Sequence, residues 1–549
     1  MKQFINKIVI ILVVIIGFTS CGKDALRTNE SQQQLNAVED VNDPFLLSSV
    51  IKKTAIFYQN INYGDSRFPG AVQYMERNFQ GGDNSYLGFR NPANDLYSAV
   101  DILKLIQGSI DLADKRGSKT HKGIFKIFRS LLFSFITDMY GDIYYSQALK
   151  GREGILYPKY DKQADIYTGL LKELDEANSL IKEGTEPISE TYDLMYAGDK
   201  VKWQKFANSL KLRLLMRASN KITDAGTQIA TILNDPARPL FSSNSDDASI
   251  LLIGTTAENS WQGGQLNWDY NEYDRRRPAK TLVDKLTDFN DPRLSIWIAP
   301  VENPWTSDKS LDGVSFSTTD ANGFTDQSTW EYIDRNNPLI AAQSNNLIDS
   351  NKIYVGFISG MYGDFLNGNG HYNTQAGGIV GNFKVSRYSQ LFRQNAHPLL
   401  KDMIMNADEV QFILAEAAAK SLIPGDGDIY YRKGITLSLQ RWGVSDGKIA
   451  SYLSQSMLNL PADVNGKLAK IADQKWLSLF MNATESYLDL RRTKLPNIFN
   501  NGLLATYPFP LRLIYPGAEL GQNKDAYDGG VSTLSPQVDN QFSKMWLLQ

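Results

Sequence analysis

The chain has 549 residues, 42% hydrophobic and 11% aromatic, with 57 Lys+Arg against 60 Asp+Glu and a single cysteine. A slightly acidic chain of this kind is a poor partner for nucleic acid, and one thiol cannot supply a disulfide framework. Stability must come from the core, which is feasible because a chain of about 300 residues already buries roughly 75% of its unfolded surface.

The first stretch, "MKQFINKIVIILVVIIGFTS", places Lys2 and Lys7 ahead of an uncharged run from Ile8 to Phe18. That run is too short for a membrane-spanning helix, which needs about 20 residues. It matches the apolar centre of a signal peptide, about 7–15 residues followed by small side chains, here Thr19 and Ser20. The next residue is Cys21, the sole cysteine, and "FTSC" resembles the lipobox of bacterial lipoproteins, with Phe18 where Leu is usual. The resemblance implies diacylglycerol attachment at Cys21, removal of residues 1–20 and anchoring in a membrane through lipid. The alternative is a plain secreted chain with a chance cysteine. Residues 22–43 are polar and suit a tether, so 21–43 is assigned that role.

From about 44 to 235 the pattern is helical. In "KQADIYTGLLKELDEANSLI", Ile166, Leu170, Leu174, Ala177 and Ile181 recur at spacings of four and three, with acids and lysines opposite. Similar patterns predict helices over 92–115, 121–138 and 201–220. The segment "GIFKIFRSLLFSFITDMY" is apolar nearly all round, but Lys126, Arg129 and Asp138 interrupt it, so it reads as a buried core helix. In "KWQKFANSLKLRLLMR", Trp203, Phe206, Leu210 and Leu214 should pack inward, while Arg213 and Arg217 can pair with acids of a neighbouring helix.

Residues 240–400 are rich in Gly, Asn, Ser and aromatics and short of long periodic stretches; "MYGDFLNGNGHYNTQAGGIVGN" has a loop composition. Loops of such length are usually functional. Helical patterning returns near 402. There "ESYLDLRRT" sets Glu485 and Asp489 beside Arg491 and Arg492, a spacing suited to helix-tying ion pairs, and Glu519 of "YPGAELGQN" can accept from nearby donors. No linker separates these regions, so 44–549 is expected to form a single domain, with 44–235 as helical repeats, 240–400 as the loop-rich ligand part and 402–549 as a further helical part.

Several stretches together resemble the SusD/RagB-like nutrient-binding outer-membrane lipoproteins, in their second SusD-like branch: "TDMYGDIYYSQAL", "MYAGDKVKWQKFANSLKLRLLMR", "NADEVQFILAEAAAK", "ADQKWLSLFMNATESYLDLRRTKLP" and "LRLIYPGAELGQN". They follow the family's order across nearly the whole mature chain. The resemblance implies a mainly α fold, with tetratricopeptide-like helix pairs as scaffold and an irregular, loop-rich middle region carrying a few short strands. It also implies a cell-surface protein that passes an oligosaccharide, or a peptide as in the RagB type, to a SusC-like TonB-dependent transporter, and that is not an enzyme. A protein that binds no ligand and serves assembly is the alternative from another class.

The residues agree with a binding role. His121, His371 and His397 are scattered, and there is no HExxH, GxSxG, Walker or strand-linked GxGxxG motif, so no metal and no cofactor is expected. A pair of carboxylates could still hydrolyse glycosides, although nothing in the sequence singles one out. Ligand-site candidates lie in aromatic loops. In "WQGGQLNWDYNEYDRRR", Trp261, Trp268, Tyr270 and Tyr273 are interleaved with polar groups including Asn267, a mixture suited to stacking sugar rings and bonding their hydroxyls. The competing reading is that these rings plug the protein's own loops. The resemblance favours an early loop as well, with Tyr74, Phe79, Asn84 and Tyr86. Trp305, Trp330 and Tyr332 form a third set.

Overall fold

The computed structural model describes residues 42–64, 67–77, 85–90, 95–334, 336, 349–359, 384–499 and 507–549. It is mainly helical. Helix α1 (Asp43–Gln59) starts where the Asn42 side chain accepts the Phe45 N–H at 3.2 Å and Pro44 occupies the first turn. Four long helices follow, α2 (Asp95–Lys115), α3 (Lys119–Tyr140), α4 (Gln163–Glu183) and α5 (Lys200–Arg217), and then the shorter α6 (Ala225–Asn234). The predicted inner face of α4 (Ile166, Leu170, Leu174, Ala177 and Ile181) is buried, as are Trp203, Phe206, Leu210 and Leu214 of α5. Asp199 caps α5 by accepting from Val201 N–H and Lys202 N–H.

Helix α3 is the axis of this half and packs on α1, α2, α4 and α5. Its charged interruptions all have ion-pair partners: Lys126 has Glu173 and Glu176, Arg129 has Glu173, and Asp138 has Arg217. The α3–α4 approach depends on Gly123, where a Cβ would sit 2.7 Å from Ile181 Cγ1 and 2.9 Å from the Ala177 carbonyl oxygen. Among the described residues no helix is long and apolar enough to cross a membrane.

Between 240 and 405 the described residues form short strands, the amphipathic helix α7 (Lys280–Asp288) and short helical turns at Tyr270–Asp274 and Leu294–Trp297. Among the described residues the strands form four two-stranded ladders. β1 (Met75–Arg77) pairs antiparallel with β3 (Arg276–Pro278), and β2 (Ala248–Leu251) antiparallel with β8 (Lys401–Met405). β4 (Trp305–Thr306) runs parallel to β7 (Glu331–Tyr332), and β5 (Ser315–Thr319) and β6 (Thr325–Thr329) form a hairpin. Gly323, at φ +85°, supplies the left-handed residue of the hairpin turn.

The second helical part comprises α8 (Ala407–Ala419), α9 (Gly427–Arg441), α10 (Asp446–Leu453), α11 (Val464–Ser478), α12 (Ala483–Thr493), α13 (Gly517–Gln522) and α14 (Lys524–Ser532). Helices α8 and α9 close around Gly434, whose missing Cβ leaves room for the Phe412 ring, and α11 packs on both. Glu519 accepts from the hydroxyls of Tyr97 and Tyr160, as its turn position suggested.

One continuous apolar core, from Leu46 to Leu547, joins the two helical parts. A buried ion network crosses their seam. Arg213 of α5 donates to Glu409 of α8, with Nε at 2.6 Å from the carboxylate. Arg217, one turn on, donates to Asp138 of α3 and to both oxygens of Glu485 on α12. Burial would lift the Glu485 carboxyl, but the guanidiniums of Arg217 and Arg213 outweigh it and hold it below its ordinary value.

Candidate functional site

The loop-rich middle was expected to carry the site, and the structure shows what its aromatic residues do. Trp261 donates its backbone N–H to the Asn395 carbonyl at 2.7 Å and sets its ring 4.7 Å from Tyr63. Trp268 stacks on the same Tyr63, with centroids 5.0 Å apart and planes 16° apart. The Arg276 guanidinium lies 3.7 Å from the Trp268 ring centroid. The tryptophans are 3% and 7% exposed, so their rings are engaged by the protein itself. Asn267 Nδ2 donates to the carbonyls of Ala257, Ser260 and Trp261, which ties the loop to itself. The buried Tyr273 hydroxyl donates to the carbonyls of Tyr388 and Ser389.

Trp261, Asn267, Trp268 and Tyr273 therefore form the interior of their loop, a correction to the expectation of an open stacking face. Tyr270 lies in a helical turn, Tyr270–Asp274, whose first side chain is outside the description. Beneath it, Glu272 gathers Arg77, Arg275 and Arg276. Burial would raise its carboxyl, but hydrogen bonds from Arg276 and Arg275 hold it down at about 2.

The early loop has a similar arrangement. Tyr74, 2% exposed, gives its hydroxyl to Ser486 Oγ at 2.9 Å and to the Trp476 carbonyl, and its ring lies 4.8 Å from Trp476. Tyr86 is buried edge-on against Phe509 at 5.2 Å. Both are packed residues rather than a free face, and Phe79 and Asn84 lie outside the described residues, as do Cys21 and His371.

The third set behaves differently. The parallel β4–β7 pair sets Trp305 opposite Glu331 and Thr306 opposite Tyr332, and the β5–β6 hairpin brings Phe316 to 5.4 Å from Trp330, with planes 31° apart. Trp305 is buried under Lys384, whereas Phe316, Trp330 and Tyr332 are half-buried and keep accessible ring area. The outer face of the hairpin is a ladder of hydroxyls and an amide: Ser315 with Thr329, Ser317 with Gln327, and Thr319 with Thr325. The alternating polar run "SFSTTDANGFTDQST" ending at Trp330 was the available signal for this face, and Phe316 was missed because it lies fourteen residues from its ring partner.

Catalytic arrangements can be tested directly. His121 is buried with Nδ1 2.9 Å from Ser118 Oγ, and His397 accepts the Leu399 N–H. Among the described residues no group of three or more His, Cys, Asp or Glu could hold a metal ion. Two carboxylates do meet in a cleft of about 210 Å³ between α8, α11 and α12. There Arg492 is bidentate to Glu416 at 2.6 and 2.7 Å, and Lys475 lies 3.0 Å from Asp489. Burial is outweighed by these cations, which hold Glu416 at about 2 and Asp489 lower still. Both carboxylates are thus committed to neighbouring cations within the cleft.

A family model described as SusD-like, starch-binding associating with outer membrane, matches residues 35–363 and 357–516. Among solved structures, a SusD homologue from Bacteroides fragilis is 21% identical with a TM-score of 0.68, covering 93% of this chain and 99% of that one. A SusD-like protein from Bacteroides thetaiotaomicron is 20% identical with a TM-score of 0.65, covering 91% and 98%. A chitin-binding protein is 22% identical with a TM-score of 0.70, covering 92% and 100%. At these identities the likeness establishes the shared fold. No curated protein matches the chain.

Proposed function

Because the chain belongs to the SusD-like family of starch-binding proteins that associate with the outer membrane, we propose that it is a cell-surface lipoprotein that captures an oligosaccharide and delivers it to a SusC-like TonB-dependent transporter. The observation that carries this reading is the family match from residue 35 to residue 516. It is supported by a rigid helical scaffold, by loop aromatics that include the accessible Phe316–Trp330 pair, and by the likeness to a chitin-binding protein. Residues 1–20 serve as leader, 21–43 as tether and 44–549 as the binding body, which does no chemistry on its ligand.

The anchor follows from Cys21. One acyl chain gives reversible membrane binding, whereas two or more hold stably. Cys21→Ala is expected to abolish acylation and release the protein from the membrane fraction. Fractionation with labelled palmitate checks it, and label retained by the variant would end the lipoprotein reading.

Ligand capture is tested on the accessible rings. A few stacked rings and solvated hydrogen bonds, offset by ordering costs, leave micromolar to millimolar affinity, about −8 to −4 kcal/mol. Trp330→Ala is expected to weaken binding of neutral oligosaccharides by about 1 kcal/mol, roughly fivefold, with the melting temperature unchanged. Titration calorimetry against an oligosaccharide panel measures this, and chromatography of the recovered sugar should show an unchanged chain length. Failure to bind any glycan, or shortened products, would overturn the reading, and capture of peptides alone would move the protein to the RagB type.

A further inference from the structure

The β5–β6 hairpin is covered along one edge and open along the other. Its register pairs Ser315 with Thr329, Ser317 with Gln327 and Thr319 with Thr325. Just beyond its ends, Trp330 N–H donates to the Val314 carbonyl and Asp320 N–H to the Phe324 carbonyl, each at 2.9 Å. Bonded and non-bonded pairs alternate along an antiparallel ladder. Phe316 and Thr318 therefore spend their backbone groups on β6, while Ser315, Ser317 and Thr319 turn theirs outward. On β6 the outward-turned Thr329 N–H is taken, donating to the Glu302 carbonyl at 2.8 Å. On β5, among the described residues, no backbone group of Ser315, Ser317 or Thr319 has a partner outside the hairpin, and all three residues are exposed.

Exposed edges are normally blunted by charge, proline, a bulge or a covering segment, because they template a further strand. β5 reads "SFSTT", with neither charge nor proline, and its five residues pair with β6 without a shift. The two faces beside the edge differ. One carries exposed Val314 and half-buried Phe316, the other the hydroxyls of Ser315, Ser317 and Thr319. A strand added here would set apolar side chains against the first face and hydroxyl-bearing ones against the second. The surroundings set its charge. Residues 302–334 hold seven acids and one lysine. Glu302 and Glu331 pair with Arg387 and Lys384, which leaves five aspartates against Lys309, and two of these, Asp312 and Asp320, bracket β5 in the chain.

We propose that the outer edge of β5 is a strand-addition site for an extended segment of a partner polypeptide, one that alternates apolar and hydroxyl side chains and carries cations at its ends. Main-chain hydrogen bonds at Ser315, Ser317 and Thr319 supply the affinity, Val314 and Phe316 read alternate side chains, and the flanking aspartates select the cationic ends. The site needs no glycan, so it stands or falls separately from oligosaccharide capture.

The probes are a heptapeptide of alternating threonine and valine with lysine at both ends, a twin with glutamate ends, and a copy of the first N-methylated at two consecutive central residues. Anisotropy of the labelled peptides is measured on the full mature chain and on its Ser317→Pro and Ser317→Ala variants. Proline removes an outward N–H without touching a ladder bond, as an edge position allows, and alanine keeps that N–H. The lysine-ended peptide is expected to bind wild type and Ser317→Ala alike and Ser317→Pro about tenfold more weakly. The glutamate-ended twin should bind wild type about fivefold more weakly at low salt, a gap that closes at high salt. Hydrogen exchange across residues 314–320 should slow when the lysine-ended peptide binds, and the N-methylated copy should neither bind nor slow it. No binding of the lysine-ended peptide, equal binding by wild type and Ser317→Pro, or exchange that stays fast overturns the proposal. Should proline disturb the hairpin, the N-methylated copy decides, because the protein is then unchanged. Concentration-dependent dimers of the chain alone that Ser317→Pro abolishes would assign the edge to a second copy and overturn the assignment to a partner segment. Oligosaccharide titration of Ser317→Pro should match the wild type, so a failure of glycan capture and a failure of the edge are distinguishable.

Discussion

Replacing Arg217 with methionine is expected to destabilise the protein by about 3–5 kcal/mol, the cost of leaving buried charge without its partner. The side chains of Asp138 and Glu485 are 0% and 9% exposed, and Arg217 bonds both. Methionine fills much of the space but returns no charge. Asp138 would then keep only the Tyr167 hydroxyl at 2.5 Å as a side-chain donor, and Glu485 would keep the more distant Arg213 at 3.6 Å. Burial would raise both carboxyls, and the stability lost at neutral pH should be partly regained as they are protonated in acid. Chemical denaturation measures the effect. Removing Glu485 as well, by Glu485→Gln, should cost less than the sum of the two single changes, because each relieves the other's unpaired charge. As a control, Lys104→Met breaks the exposed pair with Asp101, 64% and 71% exposed, and should stay within about 0.5 kcal/mol. A loss of that same small size at Arg217 would show that the seam network does not hold the two helical parts together.

The scaffold was legible because its information is local. Ile166, Leu170, Leu174, Ala177 and Ile181 announce a buried face through a period that any helix imposes, and every one of them is buried. One boundary slipped by a few residues: the helix expected over 201–220 ends at Arg217, where Ala218 donates back to Leu214. The start expected at 92 lies outside the described residues, and the end at 115 agrees. Arg213 and Arg217 could be read as ion-pair partners from their spacing, but their acids come from three different helices, as far as 268 residues away for Glu485.

The aromatic loops were illegible for the same reason in a stronger form. A tryptophan between glycines and amides looks the same in sequence whether its face meets a sugar or another ring. Trp268 is covered by Tyr63, and Trp261 meets Tyr63 and Phe392, none of them near in the chain. Asn267 looked like a hydroxyl-binding amide and instead satisfies three loop carbonyls, the local use that asparagine commonly finds. Tyr74 reaches partners 402 and 412 residues ahead. The loop region thus carries its own aromatic core, and the accessible rings at Phe316, Trp330 and Tyr332 stand on its outside.

That division sets the second large expectation, which concerns Trp261 and Trp268. Truncating a buried tryptophan costs about 3–5 kcal/mol through lost contacts and the cavity left behind. Trp268→Ala removes the stack on Tyr63 and exposes the stem of Arg276, whose guanidinium would lose its aromatic support and remain tied to Glu272 and the Gly64 carbonyl. Trp261→Ala opens the space between Tyr63 and Phe392. Both variants should therefore melt well below the wild type, while the fraction that stays folded binds neutral oligosaccharide nearly as well as before. Trp330→Ala should do the reverse, keeping its melting temperature and losing affinity. Thermal melting and calorimetric titration of the same three proteins at one low temperature separate the two behaviours. If Trp261→Ala and Trp268→Ala melt normally and bind weakly, their rings turn outward to meet the ligand, and the stacking platform belongs in that loop rather than on the hairpin.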